Sequence, residues 1–97
     1  MEYAIGTLSL SLRIDHSRSL KDKRQVLRSL KDRIKRRHNV AVAEVAHQES
    51  WQQSTVVAIT VATTSGQARQ VLDAVHQDAV QLLGRDLHEA EIDVSSC

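Results

Sequence analysis

Nine of the thirteen lysine and arginine residues of this chain lie in one stretch, "LKDKRQVLRSLKDRIKRRHNV", Leu20 to Val40. Cations at that density suit phosphate, because each one that neutralises a phosphate releases counterions, and that release supplies most sequence-independent affinity for nucleic acid. From Ser17 to His38 ten basic residues stand against two acidic ones, and the remainder carries three basic and ten acidic. A formal net charge of +1 therefore conceals a strongly polarised chain. Spacing narrows the cluster further. Arg24, Arg28, Lys31 and Lys35 recur at i, i+4, i+7 and i+11, one narrow stripe along a helix, and Lys21 is grouped with them. Like charges at i, i+4 cost a few tenths of a kcal/mol per pair, a cost that a polyanion reverses. The plain alternative is a solvated helix face whose last cations, Lys35 to Arg37, complement the helix dipole.

Other chemistry is thinly represented. The histidines, His16, His38, His47, His76 and His88, show no H-E-x-x-H spacing and have no nearby cysteine. His47-Gln48-Glu49 has the H-x-E form of zinc deaminases without the P-C-x-x-C half. Neither a metal nor a cofactor is expected. Serine, histidine and aspartate are all present, but no nucleophile elbow is, and a triad cannot be read from composition.

The elements that must position these residues follow from periodicity. Leu8, Leu10, Leu12 and Ile14 alternate with Thr7, Ser9, Ser11 and Arg13, which predicts a first strand with one buried and one polar face. Ser19 followed by Asp22 predicts a capped helix start, and Val26, Leu27, Leu30 and Ile34 carry a helix from Leu20 to Arg37, with Asn39 as a left-handed exit residue. "VAVAEVA" (Val40–Ala46) and "TVVAITVA" (Thr55–Ala62) are β-branched runs of strand length. A second helix capped by Ser65 carries Ala68, Val71, Leu72, Val75, Ala79, Leu82 and Leu83 and stops at Gly84. "HEAEIDVS" closes as a strand with Ala90, Ile92 and Val94 on one side. The order is β-α-β-β-α-β, an α+β class, ferredoxin-like fold: a four-stranded antiparallel sheet with two helices on one face.

Ninety-seven residues with 41% hydrophobic and 26% charged content suit one globular domain, residues 1–97. No apolar run approaches the roughly 20 residues that span a bilayer, the N-terminus lacks a basic signal-peptide start, and Cys97 is the only cysteine. A cytoplasmic protein without membrane contact is expected.

The open sheet face should carry Thr7, Ser9, Ser11 and Arg13 beside Glu89, Glu91 and Asp93. Ferredoxin-like RNA modules read bases with aromatics on that face. A Ser/Thr surface edged by carboxylates repels phosphate, so RNA contact is assigned to the first helix. Val56, Val57, Ile59 and Val61 make the third strand apolar on both sides. Near Trp51 this would expose an apolar patch, which a sheet-to-sheet homodimer would cover. The alternative is that Trp51 folds over its own hairpin.

Two segments resemble a known family. "SRSLKDKR", Ser17–Arg24, is close to a motif usually written HSLKDKR, and "NVAVAEVAHQESWQ" runs from Asn39 to Gln52. Together they resemble the YlxP-like family of small bacterial proteins of uncharacterised function, over nearly the whole chain. The resemblance implies a ferredoxin-like fold and, from the genes that neighbour the family, a ribosome- or RNA-associated role. Its motif positions here are Ser19, Leu20, Lys21, Lys23, Arg24, Glu44 and Trp51. Lys23 is out of phase with the stripe and points toward the apolar arc, so it needs a route to water or a carboxylate partner, and Glu44 is the expected partner.

The sequence reading is thus a non-enzymatic homodimer that offers Lys21, Arg24, Arg28, Lys31 and Lys35 to structured RNA or a ribosomal subunit. A module binding an acidic protein partner is the alternative. A third reading is an acylphosphatase-like enzyme, for which Arg18, the helix start at Ser19, and Asn39 offer phosphate contacts. The loop "DHSRS" has no glycine to open its amides to an anion.

Overall fold

In the computed structural model, which describes residues 1–97, the elements follow in the expected order: β1 (Ala4–Arg13), α1 (Leu20–Arg37), β2 (Ala41–Ala46), β3 (Gln53–Ala62), α2 (Ser65–Leu83) and β4 (Leu87–Ser96). A 3-10 turn, Gly84–Asp86, leads into β4. The strands lie side by side as β2-β3-β1-β4, every neighbouring pair antiparallel. Both helices pack on one face of this sheet, the ferredoxin-like arrangement.

Alternation in β1 sets the layers. Leu8, Leu10 and Leu12 are buried under the helices, joined there by Val56 and Ala58 of β3. Leu27, Leu30 and Ile34 of α1 and Leu72, Val75, Ala79 and Leu83 of α2 close the same core. Gly6 lets α2 approach β1, since a Cβ there would sit 2.7 Å from Leu72 Cδ1. On the open side Thr7, Ser9 and Ser11 pair with Asp93, Glu91 and Glu89 of β4, and with Ile59, Val57 and Thr55 of β3. That face is therefore split lengthwise into an acidic edge and an apolar half. In the apolar half Ile59, Val61 and Val45 are exposed.

The helix ends refine the sequence reading. The Asp22 N–H donates to Ser19 Oγ at 3.0 Å, as expected, and the Asp22 carboxylate accepts the N–H of Arg18 at 2.9 Å. Asn39 is not a left-handed exit: α1 ends at His38 in an extended conformation. Two long-range contacts replace the local turn, the His38 ring against Asp78 and the Asn39 carbonyl accepting from Thr60 Oγ1 at 2.8 Å. The cap of α2 is Thr64 rather than Ser65, its hydroxyl accepting from the Gln67 N–H at 3.2 Å. In "TTS" several hydroxyls compete, and the one whose carbonyl accepts the first helical bond, from Ala68, prevails. No helix is long and apolar enough to cross a membrane.

Candidate nucleic-acid interface

Eight of the nine cations of α1 divide into three groups; the ninth, Arg36, is exposed and donates to the Asp32 carbonyl one turn back at 3.5 Å. Lys23 is 1% exposed, so its ammonium cannot snorkel to water. It donates to the carbonyls of His47 (2.7 Å), Gln48 (3.3 Å) and Gln53 (3.2 Å) and lies 3.0 Å from Glu44 Oε2. Glu44 also accepts from Ser54 Oγ at 2.7 Å. A buried ammonium is tolerated only with such a full set of oxygen partners. The pairing with Glu44 anticipated from helical phase is present, whereas the three carbonyls had no signal in the sequence. They exist because β2 carries a bulge between Glu44 and Ala46 and because His47 adopts φ 65°, which turns the hairpin connection over the first turn of α1.

The second group faces α2. Asp78 lies 3.0 Å from Arg37 Nη1, 3.5 Å from Arg33 Nη2 and 2.7 Å from His38 Nε2. The His38 hydrogen bond, then the charges of Arg37, His38 and Arg33, hold its carboxyl below the ordinary 3.8, against the upward pull of burial. Asp78 was missed by sequence reasoning. One acidic residue on the second helix has no local feature that marks it as the counterion of the first.

The third group is the one singled out from spacing. Lys21, Arg24, Arg28 and Lys35 are exposed and Lys31 is half-buried. None of the five takes part in an ion pair or a side-chain hydrogen bond. A neutralised inner face and an unneutralised outer stripe thus share one helix.

Of the remaining motif positions, Ser19 caps α1, Leu20 is half-buried in its first turn, and Trp51 is 56% exposed, so it does not fold away over its hairpin. The phosphatase arrangement is not formed. Arg18 precedes α1 and Asn39 follows it, so an 18-residue helix, about 27 Å long, separates them. At the helix start Ser19 Oγ already accepts the Asp22 N–H, and the Asp22 carboxylate already accepts the Arg18 N–H. Of the histidines, His16 meets Asp86 at 3.1 Å and His38 meets Asp78; no three His, Cys, Asp or Glu residues gather as a metal site.

Fold and charge distribution define a small ferredoxin-like α+β protein with a one-sided basic helix. Residues 5–92 match a family described as "Protein of unknown function (DUF503)", and the chain belongs to that family. It is 32% identical over 57 residues to "Uncharacterized protein YlxP" of Bacillus subtilis, a match covering 59% of this chain and 62% of that relative. Among solved structures it is similar to a dimeric ferredoxin-like protein of unknown function from Thermobifida fusca (TM-score 0.57, 13% identity, 98% of this chain and 92% of the other). A putative antibiotic biosynthesis monooxygenase from Nitrosomonas europaea is also similar (TM-score 0.54, 7% identity, 98% and 89%). At such identities the likeness is one of fold.

Two expectations follow. Lys23→Met, which leaves Glu44 without its cation and takes a shared donor from three carbonyls, should lower the unfolding free energy in urea by about 3–5 kcal/mol. Glu44→Gln, which leaves the carbonyl bonds in place, should cost less, and equal losses would contradict this account. For Asp78, a folded value below 3.8 means that its contribution is whole above that pH and lost as pH falls through the folded value. The melting-temperature gap between the wild type and Asp78→Asn should therefore narrow on acidification from about pH 6 to about pH 3. A gap that stays constant would remove Asp78 from the pH response.

Proposed function

We propose that this protein binds structured RNA, of the kind a ribosomal subunit presents, through the phosphate backbone and the outer stripe of α1. The observation that carries this reading is the partition of charge on a single helix. Lys23, Arg33 and Arg37 have carboxylate partners, while Lys21, Arg24, Arg28, Lys31 and Lys35 have none. Stripe repulsion that nothing within the chain offsets is relieved by a polyanion. Contact of this kind fixes orientation and register without reading sequence. The carboxylate row of β4 turns the open sheet face away from the same ligand.

We further propose that the open face meets a second copy. Its apolar half, Val45, Ile59 and Val61 with Ala41, Ala43 and Val57, can stack on itself about a two-fold axis through β3, with the acidic β4 edges left at opposite rims. The two basic helices then face outward.

If about four phosphates are neutralised, affinity for ribosomal RNA should fall about 100-fold between 50 and 200 mM salt. Electrophoretic binding that survives reversal of Arg24, Arg28, Lys31 and Lys35 to glutamate would sink the assignment. A captured partner that persists through nuclease treatment would assign the stripe to an acidic protein instead. For the dimer, Ile59→Lys with Val61→Lys should convert a two-copy species to one copy in sedimentation equilibrium. A wild type that sediments as a single copy refutes it.

A further inference from the structure

Trp51 is the only tryptophan of the chain and is 56% exposed, yet the connection that carries it is tied down on every side. The carbonyls of its His47 and Gln48, with that of Gln53 at the start of β3, converge on the Lys23 ammonium within 3.3 Å. Ser50 Oγ accepts the N–H groups of Gln52 (3.3 Å) and Gln53 (3.0 Å). The Gln52 amide donates to the carbonyls of Asp15 (3.1 Å) and Ser17 (3.2 Å), and the Gln52 carbonyl accepts the Ile14 N–H at 2.7 Å. His47 is held at φ 65°, the only non-glycine residue of the chain with a positive φ. A surface loop with so many fixed points holds the Trp51 backbone in a set place and leaves the ring exposed.

The connection lies against the start of α1, through Lys23 in its first turn and through the Gln52 bonds to Asp15 and Ser17 just before it. The clamp, Lys23, directly precedes Arg24, the first guanidinium of the free stripe, and Lys21 lies one turn away on the exposed side. The ring's neighbours in sequence, "HQESWQQS", are all polar, and Trp51 is the one aromatic of the connection. Proteins that recognise RNA outside the duplex stack unpaired bases on such rings, and a loop whose backbone is already held loses less order when it binds.

Resting on the RNA reading above, we propose that Trp51 is a stacking platform for an unpaired base, in an RNA strand whose adjacent phosphates are held by Lys21 and Arg24. The ligand is then a loop, bulge or single-stranded end beside a helix, rather than an uninterrupted duplex. Stacking tolerates any base, so the preference is for unpaired over paired nucleotides and not for sequence.

With a single tryptophan, intrinsic fluorescence reports on this site alone. Labelled single-stranded oligouridylate, a hairpin with an unpaired loop, and a blunt duplex of equal phosphate number are titrated at low salt, with anisotropy and tryptophan emission followed together. Quenching should saturate with the single strand and the hairpin and be absent with the duplex. Trp51→Ala should weaken single-strand binding about 10-fold and leave duplex binding unchanged, and Trp51→Phe should retain most of the affinity. If emission stays constant while anisotropy reports saturation, or Trp51→Ala binds as the wild type does, the stacking platform is refuted and the phosphate stripe stands. If no RNA binds the wild type, the RNA reading falls and this one with it. If emission changes with protein concentration alone, and Trp51→Ala abolishes self-association, the ring belongs to a contact between copies and the proposal is overturned.

Discussion

A lysine ammonium with almost no solvent access is the costly element around which much of this molecule is arranged. Removing such a charge from water costs several kcal/mol unless oxygens replace the hydration shell. Here one carboxylate and three carbonyls do so, all within 3.3 Å of Lys23 Nζ. Those oxygens come from the end of β2, the β2–β3 connection and the start of β3. To gather them, β2 is bulged after Glu44, His47 takes a left-handed conformation, and the β2–β3 connection folds back onto α1. The same requirement fixes where Trp51 is displayed and how the first turn of α1 meets the sheet.

From that anchor the rest of α1 is divided by what faces each side. Toward α2, Asp78 collects Arg33, Arg37 and His38 and joins the C-terminal half of α1 to the second helix. Toward solvent, the stripe from Lys21 to Lys35 has no counterion. The helix is thus fastened at both ends, by the buried Lys23 at the first turn and by the Asp78 pairs at the last, and the outer cations take no part in either. On the opposite surface of the protein the carboxylates of β4 carry charge of the other sign. A charge separation of this kind gives the molecule a strong dipole.

The first helix was legible to the residue, because a capping Ser–Asp pair, an uninterrupted 3.6-residue apolar rhythm and the absence of glycine all agree over Leu20–Arg37. Lys23 stood out for the same reason, as the one charge in the wrong phase, and a carboxylate partner could be named from the paired motif. Its three carbonyl partners could not, since backbone orientation in a loop depends on register, and the bulge and the His47 conformation follow from tertiary contacts. Asn39 failed as an exit signal because His38 and Thr60 supply long-range bonds that a left-handed turn would break.

Sequence by itself therefore determined the element order, the split of the sheet face into acidic and apolar halves, and the alignment of five cations on one side of a helix. These are consequences of periodicity, a local property with a fixed repeat of 2 or 3.6 residues. Only the tertiary structure decided which cations are neutralised: Asp78 lies 40 residues beyond His38, and Glu44 is 21 residues beyond Lys23. Pairing across such separations is set by how the helices and strands pack. The sequence shows where charge is concentrated, and packing selects the part of it that remains free for a ligand.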